Sequence, residues 1–237
     1  MTQRILITGA NRGIGLEMTR RALARGDVVS AACRTPDKAA ALDELAAAHG
    51  DALTIIGLEA RTEASFQAAA AMTTPLDLVV ANAGTMNARG GLTDAGHTED
   101  NIADSLMTNI AGVFFTARHF LANLQAGADS RAAGIIPRIA VISSQMGSSE
   151  RAGTNAPIYR ATKAAATNLA RSMALELAEH GIAVGAWHPG WVQTDMGGAG
   201  AAITAEVSAA GLLQRFDALT MATSGVFETY EGEPLPF

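Results

Sequence analysis

The stretch "ITGANRGIG", Ile7–Gly15, decides how the rest of the chain is read. It follows an apolar run and opens a helical one, and its glycines, Gly9, Gly13 and Gly15, are spaced GxxxGxG. That is neither GxGxxG nor the GxxxxGK[ST] of a phosphate loop. The physics is nevertheless that of a dinucleotide turn. Gly9 permits a tight turn, Gly13 lets a pyrophosphate approach the backbone, and Gly15 lets helix and strand pack closely, so that free N–H groups at the helix start face the phosphates.

Outward from this turn, short apolar runs alternate with Ala-rich helical stretches, the βαβ pattern of a parallel sheet. Strands are expected at 4–9, 27–33, 52–58, 76–82, 137–143, 181–187 and 225–230. Most are apolar on both faces, as they must be where helices cover both sides of a sheet. Helices are expected at 13–25, 36–48, 62–72, 99–125 and 156–180, with a shorter one near 204–213. The fold class is α/β, a Rossmann-type doubly wound parallel sheet of about seven strands with helices on both faces. No repeat or linker divides the chain, so 1–237 reads as a single dinucleotide-binding domain.

The chain has 237 residues, 49% of them hydrophobic, which is enough to bury a large core. A net charge of −6 argues against a nucleic-acid or anionic-membrane partner. A single cysteine, Cys33, excludes a disulfide framework and fits a reducing, cytoplasmic setting. No run approaches a membrane span, and the scattered histidines give no metal-ligand spacing.

A dinucleotide reading makes a further demand at the end of the second strand, where an acid favours a ribose 2′-OH and an arginine a 2′-phosphate. Here the strand ends "AACRTPDK", with Arg34 and no acid before Asp37, and Arg12 lies inside the glycine turn. Both favour NADP(H) over NAD(H), though NAD(H) stays admissible.

The chain has two tyrosines and two lysines beside fifteen arginines, and "IYRATK" sets Tyr159 and Lys163 four residues apart. On a helix they share one face. A phenol ordinarily titrates near 10, and a nearby ammonium favours the phenolate, which would make Tyr159 a usable acid or base.

Taken together, the TGxxxGxG turn, "NAG" (82–84), Asn109, "ISS" (142–144), YxxxK and "HPGWVQTDM" (188–196) resemble the short-chain dehydrogenase/reductase family over essentially the whole chain. The details "HPGWVQTDMGG", "YRATKAAA" and "YEGEPLPF" are similar to its C-factor-like branch, related to small carbonyl reductases. The resemblance implies an oxidoreductase that moves a hydride between a nicotinamide and a carbonyl or secondary alcohol. Tyr159 would be the general acid/base, Lys163 would lower its pKa and bind the nicotinamide ribose, and Ser144 would hydrogen-bond the substrate oxygen. Asn109 would hold a water in a proton relay. Ser143 is the fallback for Ser144, and Ser148 and Ser149 stay open.

Cofactor contacts are implied for Gly9, Asn11, Arg12, Gly13, Ile14 and Gly15 in the turn, and for Arg34 and Glu59. They are also implied for Asn82, Ala83 and Gly84 after the fourth strand, for Tyr159 and Lys163, and for Pro189, Gly190, Val192 and Thr194 after the sixth. The third strand departs from the family by ending "LEAR", with Glu59 and Ala60 where an aspartate and a valine are usual. The Ser144–Tyr159 spacing is also longer than most members use, which should reshape the pocket.

Candidate pocket walls are Met86, Gln145, Met146, Trp191 and Met196, with a substrate lid over 191–213. They are mostly apolar, and no arginine in the short motifs stands ready for a carboxylate, so an uncharged small-molecule carbonyl or alcohol is expected. His188 reads as a satisfied structural histidine. The helices at 99–125 and 156–180 suit a homo-oligomer, dimer or tetramer. The alternative function is a cofactor-binding signalling or regulatory protein with little turnover.

Overall fold

A computed structural model describes residues 2–130 and 136–237. Seven strands form one parallel sheet: β1 (Arg4–Thr8), β2 (Val28–Cys33), β3 (Leu53–Gly57), β4 (Leu78–Ala81), β5 (Arg138–Ile142), β6 (Ala183–His188) and β7 (Phe227–Thr229). Their order is β3-β2-β1-β4-β5-β6-β7. Winding reverses between β1 and β4, and their carboxyl ends open a crevice there. The helices are α1 (Gly13–Ala24), α2 (Ala40–His49), α3 (Glu63–Ala71), α4 (Glu99–Leu106), α5 (Gly112–Asp129), α6 (Pro157–Glu176) and α7 (Ala205–Ala218).

Side-chain alternation along the strands builds two cores, one on each face of the sheet. Leu6, Ile139, Val141 and Val184 meet Phe66 of α3, Phe120 and Leu124 of α5, and Ala166 and Ala170 of α6. Ile5, Ile7, Ala140 and Trp187 meet Met18 of α1, Leu42 of α2, and Leu212 and Phe216 of α7. Each fully buried large side chain contributes about 1.5–3 kcal/mol. Trp187 is the largest of them; its ring sits edge-on to Phe216 at 4.9 Å, and its Nε1 donates to Glu228 Oε1 at 2.8 Å. That carboxylate also accepts from Arg215 Nε at 2.7 Å, so the polar edge of the tryptophan is not left unpaired inside the core.

The strands and helices fall where the sequence predicts, with differences at their ends. Residues Pro36–Lys38 form a separate 3-10 turn before α2, because Ala39 leaves helical dihedrals at φ −102, ψ 51. The predicted helix over 99–125 runs on to Asp129, and Met107–Ala111 within it take a π-helical turn. The predicted 156–180 helix tightens into a 3-10 turn over Leu177–His180 and stops at Gly181, whose φ is +67. Tyr230 follows the last strand rather than lying in it. Among the described residues no helix is long and apolar enough to cross a membrane, and no group of three or more His, Cys, Asp or Glu side chains is placed to hold a metal ion.

Candidate active site

A cleft of about 870 Å³ opens over the carboxyl ends of β1, β2, β4, β5 and β6. Its floor is the turn from β1 into α1. Gly9 and Gly13 have φ of +66 and +53, which an L side chain rarely adopts. Gly15 is required for a different reason: a Cβ there would sit 2.2 Å from the Gly9 carbonyl oxygen and 2.6 Å from Asn82 Nδ2. No side chain caps α1, so its first N–H groups are free to face the cleft that Gly13, Ile14 and Gly15 line. Asn82 ties the turn to β4 by donating from Nδ2 to the carbonyls of Thr8 (2.8 Å) and Gly9 (3.2 Å). This is a cradle shaped for a phosphate, and the residues present fit a dinucleotide.

Farther along, the cleft is lined by Asn11, Arg12, Arg34, Lys38, Glu59, Arg61, Ala83 and Gly84. Arg34 lies just past β2 with its side chain 70% exposed, and its Nε is 3.9 Å from Glu59 Oε2. Glu59 is held more closely by Arg61, at 3.2 Å, so its carboxylate is engaged by two guanidiniums. Arg12 pairs with Asp195 across the mouth at 2.7 Å. Lys38, Arg61 and Thr85 also line the cleft although no motif marks them. The signal that finds them is position alone, since each follows the carboxyl end of a strand.

The other end of the cleft holds Tyr159 and Lys163, one turn apart on α6. Helix α6 starts with Pro157 at its first turn, after Ala156 in the left-handed region at φ +47, ψ +52. The Ala156 N–H holds that conformation by donating to the carbonyls of Gly90 (2.8 Å) and Arg89 (3.2 Å). The connection from β5 presses onto α6 at Gly147, where a Cβ would lie 2.6 Å from the Lys163 carbonyl carbon. That approach holds the turn that follows Ser144 against α6.

The serines separate by their partners. Ser143 is committed to α6, donating to Lys163 O at 3.0 Å and sharing a 2.6 Å hydrogen bond with Thr167. Ser144 accepts from Met146 N at 3.1 Å, and its side chain is the polar neighbour that draws the Tyr159 pKa down. Ser148 accepts from Glu150 N, and Ser149 is exposed.

Burial dominates the electrostatics. The Tyr159 phenol is pushed up to about 12 by burial, against the Ser144 hydrogen bond and the Arg89 guanidinium, which both pull it down. Lys163 is drawn down to about 8 by burial. Its ammonium lies 5.7 Å from the tyrosine ring centroid and donates to Ile142 O at 2.8 Å. The expectation that this amine makes the phenol readily ionisable is therefore corrected. One of the three ammonium N–H groups goes to the end of β5, leaving two for other partners, and desolvation keeps the phenol protonated at neutral pH.

Asn109 sits in the π turn, fully buried, between the loop after β4 and α6. Its Oδ1 accepts from Thr85 N at 2.8 Å, and its Nδ2 donates to Thr85 O at 2.8 Å and Thr162 Oγ1 at 3.0 Å. A Cβ at Gly84 would lie 3.3 Å from Asn109 Oδ1 and 3.4 Å from Lys163 Nζ, so only glycine leaves that space open.

Beyond β6, Pro189, Thr194 and Met196 line the cleft. Gly190 faces Ile203 and Tyr230 instead, and the Val192 side chain is buried beside its bridge partner Ile203. The predicted lid divides in two. Residues 191–203 form a loop closed by Gln193 N to Ile203 O (2.8 Å) and Ile203 N to Trp191 O (3.1 Å), whereas 205–213 belong to α7, whose Leu212 and Leu213 are in the core.

His188 departs from the satisfied histidine expected. It is buried, its Nδ1 has no hydrogen-bond partner among the described residues, and its pKa falls to about 4 through burial and then through Arg151. A depressed folded-state pKa means the unfolded chain binds the proton first as pH falls. The resulting stability is complete above the ordinary value of 6.5 and is lost as pH drops toward 4. Urea unfolding of His188→Asn should therefore lack about 3 kcal/mol of the wild-type stability loss across that window; parallel curves would remove His188 from the acid response.

The sequence profile described as short chain dehydrogenase matches residues 3–202. The chain belongs to the short-chain dehydrogenase family. It superposes on an NADPH-bound carbonyl reductase from chicken fatty liver with a TM-score of 0.90 and 33% identity, covering 100% of this chain and 99% of that one. It superposes as well on the carbonyl reductase Sniffer of D. melanogaster, with a TM-score of 0.90, 28% identity and 100% of both chains covered. The C-signal of Myxococcus xanthus is 34% identical over 70% of this chain and 95% of its own. Membership of this family of oxidoreductases accounts for the glycine turn and the tyrosine–lysine pair occurring in one cleft.

Proposed function

We propose that the chain is an NADP(H)-preferring carbonyl reductase-like enzyme acting on a small carbonyl or secondary alcohol, with 1–237 as one domain and the 191–203 loop as the mobile part of its lid. The observation that carries this reading is that Tyr159 and Lys163, one helical turn apart, line the same cleft as the glycine turn. The nicotinamide, when bound, supplies or accepts the hydride.

The chain's residues do the rest. The free N–H groups of Gly13, Ile14 and Gly15 hold the pyrophosphate, with Asn11, Asn82 and Ala83 shaping the wall. Arg34, Arg12 and Lys38 receive the 2′-phosphate. Pro189 and Thr194 lie toward the nicotinamide end. Tyr159, protonated at neutral pH, gives its proton to the carbonyl oxygen in reduction, and Ser144 hydrogen-bonds the same oxygen as charge develops there. Lys163 binds the ribose and, with Asn109 and a water, returns the proton. In this reading the protein is cytoplasmic and assembles as a homo-oligomer through α4–α5 and α6, where Leu106, Met107 and Phe114 are exposed.

Arg34→Asp tests the cofactor. Loss of a charge-assisted contact predicts a roughly 10- to 100-fold fall in kcat/KM with NADPH and a shift toward NADH. A wild type that already prefers NADH overturns the assignment.

A second reading, a cofactor-binding signalling or regulatory protein, draws on the similarity to the C-signal. Cofactor binding without turnover of any carbonyl or alcohol would favour it.

A further inference from the structure

The expectation of an uncharged substrate rests on short motifs that do not include residue 89. The tertiary structure brings Arg89 to the mouth of the cleft. Its Nη2 donates to the carbonyl of Met196, a residue of the cleft wall, so the side chain reaches over the opening from the loop after β4. That donation engages one of five N–H groups.

The loop carrying Arg89 is fixed. Asp94 Oδ2 accepts from Gly90 N at 2.6 Å, and its Oδ1 accepts from Gly96 N at 2.8 Å. The neighbouring 148–156 loop is stitched to it through the Ala156 N–H and wrapped around Arg160, which donates to the carbonyls of Arg151 (3.0 Å) and Asn155 (2.9 Å).

Arg151, on that second loop, donates to Gln145 Oε1 at 2.7 Å, next to Ser144. Among the described residues neither Arg89 nor Arg151 has a carboxylate within ion-pairing distance, although the chain as a whole carries a charge of −6. Arginines elsewhere on the cleft rim are matched: Arg12 with Asp195, Arg34 and Arg61 with Glu59. Arg89 also acts on the phenol, since its charge pulls the Tyr159 pKa down. Arg89 therefore stands within electrostatic reach of the phenol and Arg151 is joined to Gln145, the residue after Ser144; both are exposed guanidiniums with no carboxylate partner among the described residues, and a planar cation of this kind suits a carboxylate.

We infer that the substrate carries an anionic group, a carboxylate, besides its carbonyl, and that Arg89 receives it at the mouth of the cleft with Arg151 adding to the field. This rests on the reading of Tyr159 as the proton donor.

The experiment compares straight-chain 2-, 3-, 4- and 5-oxo acids, each against its own methyl ester, which differs only in charge. Wild type should favour the acid of at least one pair by about tenfold or more in kcat/KM. Arg89→Met should bring that ratio toward one, and Arg89→Lys should restore part of it. The ratio cancels any effect of the substitution on Tyr159 itself. No acid preference in any pair overturns the inference, and so does an equal loss for acid and ester in Arg89→Met, which would make Arg89 only a latch to Met196. If no pair turns over, the reading of Tyr159 fails, and calorimetric titration of the same acids and esters with NADPH present decides the charge question. Acid binding that Arg89→Met abolishes keeps the anion subsite; its absence removes it.

Discussion

Tyr159→Phe is expected to lower kcat for carbonyl reduction by about 100- to 10,000-fold, the range that a positioned general acid supplies. The substitution removes one oxygen from a ring that is 9% exposed and packed beside Lys163, so the shape of the cleft is kept. The hydroxyl's nearby side chain, Ser144, keeps Met146 N as a partner when the hydroxyl is lost, so folding stability should change by about 1 kcal/mol or less. NADPH titration should give a dissociation constant close to that of wild type, because the proposed phosphate contacts are at the glycine turn, away from the phenol oxygen. Stopped turnover with binding and thermal midpoint retained therefore isolates the proton donor. Unchanged turnover would remove the tyrosine from its role.

The second large effect lies at the opposite end of the cleft. In Gly15→Ala, the added methyl would lie 2.2 Å from the Gly9 carbonyl oxygen and 3.0 Å from its carbon. These are backbone atoms of a turn already fixed by Asn82, so α1 must move away from the floor. Overpacking of this kind costs about 1–3 kcal/mol, and here it also breaks the Asn82–Gly9 hydrogen bond. A thermal midpoint lower by several degrees and at least about tenfold weaker NADPH binding are expected together. Gly200→Ala is the control, since nothing lies within 4 Å of a Cβ there, and surface changes of that sort stay within about 0.5 kcal/mol. Equal behaviour of the two variants would show that the close approach at Gly15 is not what shapes the cradle.

The two ends of the cleft were unequally legible in the sequence. The glycine turn was readable because its chemistry is local: a positive φ and a close backbone contact within nine residues leave glycine as the residue that fits. The serine was not, since "ISSQMG" offers two neighbours of the same type. Their partners differ only through the tertiary structure: Ser143 bonds Lys163 O and Thr167 on α6, whereas Ser144 accepts from Met146 N and acts on the Tyr159 phenol. His188 carried no signal of its unpaired Nδ1, because whether a ring nitrogen finds a partner depends on residues distant in the chain.

By itself the sequence determined the α/β winding, the seven strands in order, the phosphate-type turn and the Tyr159–Lys163 pairing. Each depends on periodicity or on residues a few positions apart, which the covalent chain brings together. Only the tertiary structure decided the protonation of the phenol, the hydrogen bond of Lys163 to the end of β5, and the arrival of Arg89 within electrostatic reach of the phenol. Desolvation and Coulomb fields depend on distance through space, and those neighbours are brought in by loops whose positions no local pattern specifies.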